Sequence, residues 1–315
     1  MTAFATPATA TATAVAVAIR EPGTAVATRE PGNVAAVPTF AAPEPIAVTV
    51  ELPIGDVRVV ATDRADATVQ VKPSDASREA DVRYAQQTKV ERVPGGLLVK
   101  APRPRGFGLL GKPGSVDITI ELPAGSSLHG ESSVAAFHGV GRLGEVSIET
   151  SVGNVDLDQT GRLELSTGAG AITVARVHGD AEISTGTGRV RLGQIDGAAV
   201  VKNSNGGTRI DAVAGDLRIS AGNGDVTVGR ADGNVTADAA HGEIRIAEVS
   251  HGTAAVKTGF GEIEVGVRAG TPARLDLFTS FGRVRNHIDA ADSAAPAPVV
   301  VSAQTSHGDI TIRRA

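Results

Sequence analysis

Apolar and polar residues alternate in short bursts along most of the chain, and from Gly144 to Arg268 the bursts recur on a fixed period. Gly161-Arg-Leu-Glu-Leu-Ser-Thr-Gly-Ala-Gly-Ala-Ile-Thr-Val is followed by Gly179-Asp-Ala-Glu-Ile-Ser-Thr-Gly-Thr-Gly-Arg-Val-Arg-Leu, and Gly197, Gly215, Gly233 and Gly252 open the same pattern. The spacing is 17 residues from Gly144 to Gly161, then 18 four times, then 19 where His251 is inserted. Counting the opening Gly as one, positions three and five are apolar (Leu163 and Leu165, Ala181 and Ile183, Leu217 and Ile219). Positions twelve and fourteen are apolar too (Ile172 and Val174, Val190 and Leu192, Ile244 and Ile246). A period of two inside each burst places these side chains on one face of a strand and their neighbours on the other. A weaker inward position at seventeen (Val177, Ile195, Val213, Val249) adds a short third side to each unit.

Strands that recur only after a full circuit cannot pair as hairpins and must stack on copies of themselves. The predicted fold class is all-β, a single-chain parallel β-solenoid expected to be right-handed, with about 18 residues per coil and roughly eleven coils. At ~4.8 Å per coil the rod is on the order of 50 Å long. A Gly recurs between the two strands of each unit (Gly153, Gly170, Gly188, Gly206), as expected where a sharp corner needs positive φ. Position seven carries Thr150, Thr167, Thr185 and Asn203, read as an inward hydrogen-bonded ladder along one edge.

Outside the repeat the pattern loosens. Residues 1–44 are rich in Ala, Thr and Pro without apolar periodicity and read as a disordered tail. Residues 45–143 read as irregular N-terminal coils with loop insertions. The alternations at Ile46–Leu52, Val57–Val59 and Val69–Val71 suggest three strands of one coil. Lys89–Val93, Leu97–Ala101 and Val116–Leu122 suggest a second. Ser74–Tyr84 is polar enough for a short helical turn, and Pro102–Gly114 is a Gly/Pro loop carrying Arg103, Arg105 and Lys112. Residues 144–315 hold the regular repeats and a C-terminal coil from Val299 to Ile312. That coil is expected to be the bare end of the rod, with backbone groups free to template another chain.

Composition sharpens this picture. With 38 Gly, seven Phe, one Tyr and no Trp, the interior must be narrow and filled by branched aliphatics. The absence of Cys removes disulfides, thiolate metal sites and cysteine nucleophiles. A net charge of −5 with both signs scattered gives no electrostatic case for nucleic acid. The first basic residue, Arg20, follows the apolar run Val15–Ile19, the reverse of a secretory leader, and the run is too short to span a bilayer. A cytoplasmic location without direct membrane insertion is expected.

The search for chemistry returns little. Gly106–Lys112 imitates a phosphate-binding loop, but Pro113-Gly114 follows where a helix must open, so no cofactor is expected. His241 and His307 occupy equivalent corners several coils apart, and no adjacent coils align histidines, so no metal site is expected. Gly222-Asn-Gly-Asp225 is a lone calcium-type nonapeptide where successive turns would be needed. The ionisable residues do not converge as a polysaccharide lyase would require. Two alternating pairs per coil do not divide into the three equal sixes of hexapeptide acyltransferases. An ice-binding face would need a continuous outward Thr column, which is missing. What remains is a basic loop carrying Arg103, Arg105 and Lys112 and a small basic patch mid-rod with Arg189, Arg191 and Arg209; these are the candidate interaction residues, with no catalytic residue among them.

The Thr-Gly-x-Gly corners (Thr167–Gly170, Thr185–Gly188, Thr258–Gly261), the lead-in Ile46–Val59 and the segment Gly114–Gly125 resemble the bacterial β-strand-repeat family labelled as adhesins, a domain of unknown function common in actinobacteria. The resemblance covers about residues 45–315. It implies the stacked architecture and a surface location, and carries over no catalytic residue. The expected function is a non-enzymatic solenoid acting as a binding surface or assembly scaffold, with a protein or glycan partner. The alternatives are a carbohydrate-active β-helix enzyme and a self-polymerising protein joined through its C-terminal coil.

Overall fold

The computed structural model describes residues 37–103, 114–288 and 298–315. The alternating bursts form strands: β1 (Thr39–Ala41), β2 (Ala47–Thr62), β3 (Asp66–Pro73), β4 (Lys89–Val93), β5 (Gly96–Lys100), β6 (Val116–Pro123) and β7 (Ser127–Arg142). The one helix among the described residues, α1 (Glu79–Gln87), lies between β3 and β4 and overlaps the expected helical turn. The regular units follow as strand pairs: β8 (Val146–Val152) and β9 (Val155–Thr160), β10 (Leu163–Ala169) and β11 (Ile172–Val177), β12 (Ala181–Thr187) and β13 (Val190–Ile195). The series continues with β14 (Ala199–Asn205) and β15 (Thr208–Val213), β16 (Leu217–Asn223) and β17 (Val226–Ala231), β18 (Val235–His241) and β19 (Ile244–Val249). It ends with β20 (Thr253–Phe260) and β21 (Ile263–Val267), β22 (Ala273–Phe281) and β23 (Val284–Asn286), β24 (Val299–His307) and β25 (Ile310–Arg314).

Each regular pair makes one rung of a parallel β-solenoid. Leu163 is in register with Ala181 and Ile183 with Leu165, while Ile172 meets Val190 on the second face. The even-numbered strands from β8 to β20 stack into one face and the odd-numbered ones from β9 to β21 into the other. The inward positions three, five, twelve and fourteen are buried throughout, for example Leu165, Ile183, Ile172 and Leu192. Position seventeen closes the second strand rather than forming a side of its own. Val177 and Ile195 are the last residues of β11 and β13, paired with each other and buried.

The corner explains the Gly column more fully than φ alone. Gly188 has φ 157°, and a Cβ there would lie 1.9 Å from the carbonyl oxygen of Gly170 on the neighbouring rung. Gly224 and Gly242 turn further into the left-handed half of conformational space, at φ 132° and 136°. The Thr ladder is revised in its bonding. Thr150, Thr167, Thr185 and Asn203 are inward and buried, as expected. Only Ser132 and Thr150 bond side chain to side chain along the edge, at 2.7 Å. Elsewhere the column caps corner carbonyls of an adjacent rung: Asn203 Nδ2 donates to Gly188 O, Thr258 Oγ1 to Gly242 O and Thr305 Oγ1 to Gly261 O. The hydroxyls of Thr167 and Thr185 have no partner.

Both ends depart from sequence order. The expected first coil of three stacked strands is instead one continuous strand, β2, which turns the corner and lies between β7 on one side and β5 and β6 on the other. Its supposed third strand, β3, runs antiparallel to β6, β1 runs antiparallel to β3, and β4 runs antiparallel to β5. Order also begins before Pro45, because β1 falls inside the stretch expected to be tail. Helix α1 covers this end, burying Asp81, Tyr84 and Ala85. The buried Asp81 carboxylate accepts the backbone N–H groups of Asp75 and Ser115 and faces the Arg78 guanidinium at 3.3 Å.

The other end has a matching insertion. β24 lies between β20 and β22, and β25 lies between β21 and β23. The chain skips one rung after β21, lays down β22 and β23, then returns to fill the gap. The coil from Val299 is therefore not the bare end that its place in the sequence implied; β22 and β23 are the outermost rung. The interior is narrow, as the scarcity of aromatics implied. Its widest side chain, Phe137, fits because inward position Gly130 faces it: a Cβ at Gly130 would lie 2.7 Å from Phe137 Cε1.

Candidate functional site

The basic residues singled out from the sequence fall into two separate places. Arg103 follows β5 and lines a groove on the face built by β7, β8 and β10. Arg191 and Arg209 project from β13 and β15 on the opposite face, in direct register with each other, and Arg189 sits just before β13. Arg209 is paired with Asp211 at 3.0 Å, whereas neither Arg189 nor Arg191 has an ion-pair partner among the described residues. Arg105 and Lys112 lie outside the described residues. The four described residues do not form one surface.

The groove beside Arg103 has a volume of about 610 Å³. Its floor is a register column: Glu51 of β2 pairs with Glu131 of β7, Glu131 with Glu149 of β8, and Glu149 with Ser166 of β10. Parallel in-register stacking brings these outward side chains to about one strand spacing, ~4.8 Å, so the three carboxylates repel one another. Lys100 relieves part of that repulsion, its Nζ lying 2.5 Å from Glu51 Oε2, and the His129 ring Nε2 lies within hydrogen-bonding distance of Glu131 Oε1 at 3.3 Å. Glu149 has no ion-pair partner among the described residues. Ser133 and Ser151 line the same groove with exposed hydroxyls, while Ser132 at its edge is bonded to the buried Thr150. The groove thus offers hydrogen-bond acceptors, hydroxyl donors and one guanidinium on rigid strands. No cluster with metal-binding geometry occurs among the described residues.

At the far end the corner column at position nine becomes aromatic. His241, Phe260, His307 and Phe281 stack face to face, with ring centroids 5.1, 4.7 and 4.8 Å apart. The expectation that His241 and His307 stand several coils apart is corrected, because the insertion of β24 beside β20 leaves only Phe260 between them.

Groups with displaced ionisation lie outside the groove. Asp196 is held below the usual carboxylate range by hydrogen bonding from Arg176, and to a smaller extent by His178. Glu264 is held low chiefly by Arg313, with Arg245 adding to it. Arg64 holds both Asp66 and Glu121 low through its hydrogen bonds to them. Burial pushes the Tyr84 phenol up to about 12 beneath α1. In these three clusters the ion pairs favour the charged carboxylates, which stabilises the surface they sit on.

Sequence reading missed the groove and the aromatic column. Glu131 and Glu149 are 18 residues apart, so that half of the acidic column was visible in the period. Glu51 precedes Glu131 by 80 residues, and only the seating of β2 against β7 brings it alongside.

Comparison with known proteins places the architecture. A family model described as Toastrack DUF4097 matches residues 56–313, in agreement with the resemblance carried by the Thr-Gly-x-Gly corners. No curated protein matches the chain. Among solved structures, a "putative cell adhesion protein" from Clostridium sporogenes ATCC 15579 is 11% identical, covers 88% of this chain and 98% of its own, and has a TM-score of 0.20. A "putative adhesin" from Bacteroides fragilis NCTC 9343 is 12% identical over 89% of this chain and 96% of its own, with a TM-score of 0.27. Another from Parabacteroides distasonis ATCC 8503 is 14% identical over the same shares, with a TM-score of 0.28.

Proposed function

The chain belongs to the Toastrack DUF4097 family, and from that membership we propose that it is a non-enzymatic binding scaffold whose ligand surface is the groove from Glu51 to Ser166. One observation carries the reading: carboxylates, hydroxyls and Arg103 converge in a single open groove on strands whose backbone is held on both sides by neighbouring rungs. Such a surface costs little ordering entropy when it binds. Its ligand is a hydroxyl- or amine-bearing chain, with a glycan the best fit, because serine hydroxyls and unpaired carboxylate oxygens satisfy sugar hydroxyls at short range.

Probing a glycan array with the full chain and with Glu131→Gln/Glu149→Gln tests the proposal. Glycans retained by the chain and lost by the double variant support it. Equal retention by both contradicts it.

A further inference from the structure

Among the described residues, the outermost rung at the β22 end leaves the interior open. Leu275 and Leu277 of β22 continue the columns of Val301 and Ala303, which are completely buried, yet they are themselves only partly covered. Phe278 and Phe281 are 56% and 69% exposed on the same strand, and Val284 of β23 is exposed beside them. The aromatic column ends there, with Phe281 stacked on His307 through one ring face and its other face free among the described residues. β22 is nine residues long, pairs with β24 along one edge, and has no partner on its outer edge among the described residues. A nine-residue edge that presents exposed aromatics and has no partner among the described residues is a template for another strand.

We propose that this end binds a second copy of the same chain, β22 against β22, in a closed two-fold dimer. The opposite end cannot serve as its partner. There the stacking is terminated by antiparallel β1, β3 and β4, with α1 packed against β3. β4 is only five residues long and carries Lys89, Glu91 and Arg92, which blunt an edge. A parallel rung therefore has nothing to continue onto, and the complementary surface is the same end of another molecule, which gives an isologous contact. The antiparallel register centred on Leu277 pairs all nine residues of Ala273–Phe281. It sets Leu277 against its copy, Leu275 opposite the partner's Thr279, and the free ring of Phe281 beside the partner's Ala273. The two half-open cores then close on each other. This contact lies at the other end of the rod from the groove and stands independently of the proposed ligand.

Sedimentation velocity across a wide concentration range tests it, with cross-linking to fix the register. The natural chain has no Cys, so an introduced thiol reports one position. The proposal requires a monomer–dimer equilibrium with no larger species. Phe278→Glu/Phe281→Glu, at exposed positions, must weaken dimerisation by about 30-fold or more while the monomer still folds with the circular dichroism of the natural chain. Under oxidation Leu277→Cys must cross-link to its copy faster than Ser280→Cys. A strict monomer at all concentrations, an open series of oligomers, or a dimer untouched by the double variant would each overturn the proposal.

Discussion

Thr305 Oγ1 donates a 3.1 Å hydrogen bond to the carbonyl oxygen of Gly261, its neighbour across the rung boundary at the same corner. The hydroxyl is completely buried, and the carbonyl belongs to the Gly column that every rung uses to turn. Thr258 makes the equivalent bond to Gly242. Thr185, in the same column, is equally buried but has no partner for its hydroxyl. A single position in the repeat thus contains both satisfied and unsatisfied members.

This difference predicts opposite outcomes for one substitution. Thr305→Val removes a made bond and leaves the partly buried Gly261 carbonyl without its hydroxyl donor, so it should cost about 1 kcal/mol. Thr185→Val replaces an unpaired hydroxyl with a methyl of similar shape and should be neutral or stabilising. Chemical denaturation of the two variants checks this. Equal losses at both positions would show that side-chain volume, rather than hydrogen bonding, governs the column.

The corner glycines allow a comparable test of backbone packing. A side chain at Gly188 would meet the Gly170 carbonyl oxygen at 1.9 Å, and the clash is with backbone that its own rung contacts hold in place. Gly188→Val should therefore destabilise by on the order of 3 kcal/mol or more. Gly207→Ala is the control, because its nearest contact is at 3.7 Å. It should shift stability by less than about 1 kcal/mol. Thermal unfolding of both variants is the measurement.

Stability should respond to acid through Glu264. Arg313 first, and Arg245 after it, hold this carboxyl below its ordinary value of 4.5. A depressed folded-state value means that the unfolded chain takes up the proton first as pH falls. The ion pairs then contribute fully above about pH 4.5, and their contribution is lost as pH falls through the lower folded value. Glu264→Gln should therefore be less stable than the natural chain at neutral pH, with the gap closing in acid. Unfolding midpoints at neutral pH and near pH 3 measure it; a gap that stays constant would remove Glu264 from the acid response.

How much of this was legible in the sequence depended on whether a feature is local to one rung. Leu165, Ile183 and Ile172 announced their burial through alternation, and Gly188 announced its corner through the period, since each rung repeats the same local problem. Rung order at the ends could not be read this way. The corner Thr305-Ser306-His307 suits any slot in the stack, and only its long-range pairing with Phe260 and Phe281 puts it second from the end. The stacked ring column and the true open edge were hidden for the same reason. At the candidate site, Arg103 lies beside the groove, whereas Arg191 and Arg209 stand on the opposite face. The acidic column stayed out of view because β2 enters the stack out of step with the repeat.

Calorimetric titration of a glycan selected on the array measures the groove against the basic face in one experiment. The groove reading predicts that Glu131→Gln/Glu149→Gln weakens binding by at least about tenfold, through loss of hydrogen bonds to charged acceptors. It predicts that Arg191→Asp/Arg209→Asp leaves the affinity unchanged. Loss of binding in the arginine variant, with the groove variant unaffected, would contradict it and move the ligand to the other face of the solenoid.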